Sequence, residues 1–190
     1  MKNPKRFMTL TLWKRLGQEA GNQAGLWAMF LDCFERRGAK FAHIGRLVVN
    51  SGGPDRQHLR TRADQVVGER EPVPEGVYTL GPILFASGRW GEYSAKWPRI
   101  DSPISQTIEP VRAIEFHLDG NREYAPGSAG CVVFRTLADL KIYISWAEQD
   151  PNKFTSLWVN YGLGTIEWPA GLKIPAPPIP PSNRNGAKSR

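Results

Sequence analysis

Cysteine is scarce in this chain: the 190 residues hold two, Cys33 and Cys131. Two cysteines allow one disulfide but build no disulfide framework. No Cys pair has zinc spacing, and His43, His58 and His117 form no HExxH-like group, so no metal and no cofactor is expected. No window reaches the roughly 18 apolar residues that span a membrane, and no internal repeat is visible. The opening, "MKNPKRFMTLTLWKRL", has no uninterrupted apolar run and no small-residue cleavage site after it, so it does not read as a secretory signal.

Acidic residues are missing from segments 1–6 and 182–190, which carry Lys2, Lys5, Arg6, Arg184, Lys188 and Arg190. Those are six of the 25 basic residues, and the remaining 19 face 18 acidic ones, so the formal charge of +7 is expected to sit in the ends. Basic ends favour anionic surfaces such as nucleic acid, cell-wall polymer or lipid headgroups, or are merely solvated. The body has no basic stripe to track a phosphate backbone, which argues against a nucleic-acid partner.

What is present suits about one domain with a sizeable core: 41% hydrophobic residues and seven Trp. Residues 1–25 read as an N-terminal extension, with "TLTLW" strand-like, "LWKRLGQEA" helix-like and "GNQAG" breaking either. Residues 27–50 read as two strands around an Arg36-Arg37-Gly38 turn, with Cys33 a small buried hydrophobe in the first. A polar loop, 51–72, leads through Pro72, Pro74 and Gly76 into a short strand at Val77–Leu80. The aperiodic, aromatic-rich stretch 86–106 reads as a long exposed loop. "RAIEFHL" and "GCVVF" read as strands. Thr136 then caps a helix over about 137–148, with apolar residues at 137, 140, 144 and 147 and Pro151 past its end. "TSLWVNYGL" is a closing strand, and 169–190 is a Pro-rich, then basic, tail. The expected class is mainly β, a sandwich or barrel with one clear α-helix and long loops, its body spanning 26–168.

One stretch concentrates chemistry: "AIEFHLDGNREYAPGSAGCVVF", 113–134. His117 ends one strand, and Cys131 begins the next behind Gly127-Ser128-Ala129-Gly130. A thiol becomes a good nucleophile as its thiolate, which a histidinium and converging main-chain N–H groups stabilise. If the strands are neighbours, His117 can serve as base for Cys131, with Asp119 or a backbone carbonyl fixing its tautomer. The amides of Gly130 and Cys131 would then receive an oxyanion. The other reading of the same residues is an inert, buried cysteine on a strand.

"PVPEGVYTLG" at 72–81 and "IEFHLDG…GSAGCVVF" at 114–134 resemble the L,D-transpeptidase (YkuD-like) catalytic domain over roughly residues 26–165. In that family a Pro-x-Gly-x-(aromatic) turn enters a strand, and a strand-end His precedes a Ser-x-Gly-Cys turn. The resemblance implies a fold of that type, Cys131 as nucleophile and His117 as general base. Ser128 and Gly130 would shape the nucleophile turn. It implies a thioacyl-enzyme on peptidoglycan stem peptides, resolved by water (hydrolase) or by an amine (transpeptidase). Where the family commonly has His and Arg, this chain has Ala129 and Val133, with Arg135 the nearest later arginine. That departure marks a divergent branch and leaves the substrate carboxylate without its usual cation, for which Arg112 or Arg60 is available. Asp119, Arg112, Trp90 and Trp97 are the expected substrate-binding residues, the two tryptophans stacking on sugar rings or lining the groove. With no signal read, action at the cell wall or periplasm implies delivery by phage or by a secretion machine, as for a phage-type lysin or a cyanobacterial-type wall hydrolase. The alternatives are a non-catalytic wall-binding or virion module of the same fold, motivated by Ala129 and Val133, and a general cysteine peptidase.

Overall fold

The computed structural model describes residues 6–64, 70–80, 83–85, 104–109, 114–120, 122–149 and 156–177. The strands are β1 (Arg6–Arg15), β2 (Trp27–Arg37), β3 (Lys40–Ser51), β4 (Gly76–Thr79), β5 (Ile83–Phe85), β6 (Ile104–Glu109), β7 (Ile114–Leu118), β8 (Val132–Phe134) and β9 (Ser156–Asn160). One α-helix, α1 (Leu137–Glu148), lies between β8 and β9, and a short 3₁₀ helix spans Gln18–Gln23. Among the described residues the strands form a single sheet, in the order β4-β9-β1-β2-β3-β8-β7-β6-β5, curled as a half-barrel. The class is mainly β with one helix and loops. No helix among the described residues is long and apolar enough to cross a membrane.

Residues 6–15, expected in an N-terminal extension, instead form a strand inside the sheet, antiparallel to β2 and parallel to β9. Met8, Thr9 and Leu10 are all fully buried, so β1 is covered on both faces. Arg6, expected among the solvated basic ends, is 6% exposed. Its guanidinium donates to Glu35 Oε2 at 3.1 Å, to the Trp146 carbonyl at 2.6 Å and to Gln149 Oε1 at 3.4 Å. A cation is thus set against the carbonyl end of α1, where the helix dipole favours it.

The β2–β3 hairpin closes through Gly38 and Ala39 rather than through Arg36 and Arg37, which belong to β2. Gly38 supplies the positive φ of 62° that a tight turn needs. Strand β6 starts at Ile104, inside the stretch expected as loop, and β5 was not anticipated. The rest of that loop, 86–103, lies outside the described residues. So does the basic end of the tail, but its first part is held: Arg46 donates to the Pro175 carbonyl at 2.7 Å and the Ala176 carbonyl at 3.2 Å. The same guanidinium is fixed by Asp32, with bonds of 2.8 Å and 3.0 Å.

The main core lies between the sheet and α1. Leu140, Tyr143, Ile144 and Ala147 of the helix meet Phe116 and Leu118 of β7 and Val132 and Phe134 of β8. Tyr143 is fully buried, with ring centroids 5.2 Å from Phe116 and 4.9 Å from Phe134. Such ring pairs contribute about 0.5–1.5 kcal/mol each beyond area burial. Burial pushes the Tyr143 phenol well up, so it stays neutral.

The helix begins where the sequence placed it: the Thr136 hydroxyl accepts the Asp139 amide at 3.1 Å. Thr136→Ala removes this cap and is expected to lower stability by about 1 kcal/mol. Urea unfolding followed by far-UV circular dichroism would read it as a lower midpoint at unchanged slope.

Candidate active site

β7 and β8 are neighbours, but they run parallel, with Phe116 opposite Val132, His117 opposite Val133 and Leu118 opposite Phe134. Parallel strands cannot be joined by a tight turn. The chain therefore leaves β7 at Leu118, returns through residues 119–131, and re-enters the sheet at β8. Paired residues share a face and successive residues alternate. Since Phe116, Leu118, Val132 and Phe134 face α1, His117 and Val133 face the other way. Cys131 comes one residue before β8, two positions short of the Val133 that pairs with His117.

Both groups are shielded: His117 is 5% exposed and Cys131 2%. Cys33 belongs to the main hydrophobic cluster, whereas Cys131 lies outside it. His117 Nδ1 lies 2.7 Å from the Leu118 carbonyl oxygen. A carbonyl can only accept, so Nδ1 carries the proton, and in the neutral ring Nε2 is the basic nitrogen. Of the two tautomer-fixing groups considered from sequence, the backbone carbonyl performs this task. Asp119 is instead used elsewhere. Its side chain is fully buried, and Oδ2 accepts the Gly127 amide at 3.0 Å and Arg122 Nη1 at 3.2 Å. Burial pushes the Asp119 carboxyl up, opposed by that amide and by Arg122. Arg122 also donates to Asn50 Oδ1 at 2.9 Å and is pulled below its usual range, by burial first and by Arg135 second. Asp119 is thus a strut of the return loop, not a group presented to substrate.

The turn before Cys131 is knotted by Ser128. Its hydroxyl donates to the Cys131 carbonyl at 2.6 Å and accepts the amides of Gly52 and Gly130, each at 3.2 Å. The Ser128 amide in turn donates to the Gly52 carbonyl at 3.0 Å. Gly127 has φ 86°, and a Cβ there would stand 2.2 Å from the Gly52 carbonyl oxygen, so no other residue fits this crossing without a shift. The Gly130 amide, expected as an oxyanion donor, is engaged inside the turn.

A pocket of about 140 Å³ adjoins this turn, lined by Arg70, His117, Leu118, Ala125, Gly127, Ser128 and Ala129. Cys131 is not among its described lining residues. A larger, more open pocket of about 480 Å³ continues from it, sharing Arg70 and Ala125 and bounded by Asn22, Pro54, Asp55 and Tyr124. Arg70 was not singled out from sequence. It stands in a polar, charged stretch with several other arginines, and no periodicity distinguishes it. Arg60, considered as a substrate cation, is engaged: it makes a two-pronged ion pair with the buried Glu71, at 2.5 Å and 2.9 Å. Arg112, Trp90 and Trp97 lie outside the described residues. Among the described residues no cluster of three or more His, Cys, Asp or Glu side chains is arranged to hold a metal ion.

The Pro74-Glu75-Gly76-Val77-Tyr78 turn ties β4 to the segment after β9. The Tyr78 hydroxyl donates back to the Pro74 carbonyl at 2.7 Å. Glu75, 1% exposed, accepts the amides of Tyr161 (2.7 Å), Leu163 (3.0 Å) and Thr165 (2.9 Å), and the Thr165 hydroxyl at 2.6 Å. Burial alone would push this carboxyl up, but those donors together hold it below its usual range.

Compared with known families and curated proteins, the chain matches no family model and no curated sequence.

Because the Glu75 carboxyl is lowered in the folded chain, its stabilisation is full above the ordinary glutamate range. It is lost as pH falls through the folded value. Glu75→Gln strands buried N–H donors and is expected to cost about 1–3 kcal/mol at pH 7. Denaturant titrations at descending pH should show the gap between wild type and variant narrowing once the pH drops below about 4.5. A gap independent of pH would contradict this reading.

Proposed function

We propose that this chain is a cysteine-dependent enzyme of peptidoglycan stem peptides, a hydrolase or L,D-transpeptidase working through a thioacyl-enzyme at the cell wall. The observation that carries the proposal is the β7–β8 register, which sets the start of β8, next to Cys131, beside β7 and turns His117 away from α1, where it lines a pocket. The sequence resemblance to the L,D-transpeptidase domain supplies the substrate class. In this reading His117 Nε2 takes the thiol proton, and the sulfur bonds to the peptide carbonyl carbon. The carbonyl electrons move to oxygen, where main-chain amides of the turn receive them, that of Cys131 first. The Gly130 amide joins only by giving up its bond to Ser128 Oγ. Loss of one such donor typically costs about 10²–10³ in rate. As the oxyanion collapses, the C–N bond breaks and the amine leaves with the proton from His117. Water or a second amine then displaces the thiolate, and His117 takes the incoming nucleophile's proton.

The burial of Cys131 and the engaged Gly130 amide favour a second reading, a non-catalytic wall-binding or virion module of the same fold. The two readings differ in thiol reactivity, since an imidazole-activated thiol is ionised at mildly acidic pH whereas a buried structural one is inert.

In the enzyme, iodoacetamide at mildly acidic pH labels Cys131 far faster than Cys33, and His117→Ala abolishes the difference. Purified peptidoglycan treated with wild type yields an altered muropeptide profile by mass spectrometry, and treated with Cys131→Ala does not. Equal, slow labelling together with an unchanged wild-type profile would establish the module instead.

A further inference from the structure

Arg70 is the charged residue that lines both pockets at this end of the sheet among the described residues; Ala125 is the other residue they share. Arg70 borders both the 140 Å³ pocket that contains His117 and the 480 Å³ pocket beyond it, so it stands where the two meet. Its backbone is anchored: the Arg70 carbonyl accepts the Gly53 amide at 2.7 Å. Its side chain lies close over Gly53, where a Cβ would come within 2.9 Å of Arg70 Nη2. The guanidinium is thereby located by the loop that also carries Gly52, the residue bonded to the Ser128 turn.

Three other arginines have their planar forks closed by buried carboxylates. Arg60 is clasped by Glu71, Arg46 by Asp32, and Arg122 by Asp119 and Asn50. Arg70 is different. Its ion-pair partner among the described residues is Asp55 at 3.9 Å, with side chains 49% and 64% exposed. That separation is beyond hydrogen-bond length and solvent screens it, leaving the fork available for a planar anion. Guanidinium groups pair with carboxylates in a bidentate way that fixes orientation as well as position.

The dimensions limit what lies on either side. The inner pocket has the volume of only a few water molecules at about 30 Å³ each, room for one small residue next to the imidazole. The outer pocket is larger and is flanked by Tyr124, a residue 88% exposed. Tyr124 sits in a segment that Asn22 secures by donating to the Arg122 carbonyl at 3.3 Å and to the Glu123 carbonyl.

We infer that Arg70 is a specificity-determining residue that binds a free carboxylate of the substrate, one small residue away from the bond presented to His117. The inference rests on the peptide-enzyme reading above and narrows it. The substrate is a peptide with an unblocked carboxylate beside the reacting residue, and an amidated or esterified equivalent is a poor one.

The test uses a synthetic stem tetrapeptide with a diamino acid at its third position and a free C-terminal carboxylate, and the same peptide as its C-terminal amide. Wild type should favour the carboxylate form by about 10- to 100-fold in kcat/KM, the range for a hydrogen bond to a charged group. Arg70→Ala should bring the ratio of the two peptides close to one, and Arg70→Lys should restore part of it. Retention of the full ratio in Arg70→Ala, or no preference in wild type, overturns the inference.

Calorimetric binding of both peptides to Cys131→Ala, with and without Arg70→Ala, separates this inference from the catalytic reading. An Arg70-dependent carboxylate preference in binding without turnover by wild type upholds the subsite and sinks the catalysis. Turnover with no Arg70-dependent preference does the reverse. Binding of neither peptide to Cys131→Ala overturns the subsite.

Discussion

The contact on which the site depends is the meeting of Tyr143 with Phe116 and Phe134 under helix α1. These rings decide which face of β7 and β8 is interior. With Phe116 and Phe134 committed to the helix, the two-residue period of a strand leaves His117 no choice but the opposite face. A slip of one residue in the β7–β8 register would turn the imidazole into the aromatic cluster. The large rings resist that slip, because they would lose their pocket.

Parallel pairing imposes the second constraint. A chain that must run back outside the sheet between two parallel neighbours needs a long connection, and this one is held by polar groups rather than by a core of its own. Asp119 receives the Gly127 amide and Arg122, Ser128 binds Gly52, Gly130 and Cys131, and Ser51 Oγ donates to the Gly130 carbonyl at 3.0 Å. Segments distant in sequence, around 22, 54, 70 and 117–129, thus line two adjoining pockets. This crowding requires glycine at position 127. Gly127 passes so close to Gly52 that a side chain would strike its carbonyl.

How much of this was legible in the sequence follows from whether the cause is local. Helix α1 was readable to the residue because its cap at Thr136 and its apolar stripe lie within one short window. The β2–β3 hairpin was readable for the same reason. Strand β1 was not, because a strand buried on both faces loses the alternation that marks a half-exposed one. Arg6 looked like a tail charge, since nothing near it in sequence announces Glu35 and the end of α1. Asp119 looked like a partner for the histidine or for substrate. It became a strut because the loop amide and Arg122 reach it first, while Leu118 offers its own carbonyl to Nδ1. Arg60 and Arg70 stand ten residues apart in one charged stretch. Only the placement of Glu71 separates the arginine that is clasped from the one that faces the cavity.

The amino-acid sequence by itself determined the mainly β class, the single capped helix, the hairpin, and the presence of a histidine and a cysteine on either side of a small-residue turn between two strands. Those features are set by interactions within a few residues: alternation, capping and the conformational freedom of glycine. The tertiary structure alone decided that the two strands run parallel, which face His117 takes, which of its nitrogens is basic, and which arginine borders the pocket. Each of these turns on contacts between segments tens of residues apart, where burial and the competition of polar groups for one another choose among partners that the linear order leaves equivalent.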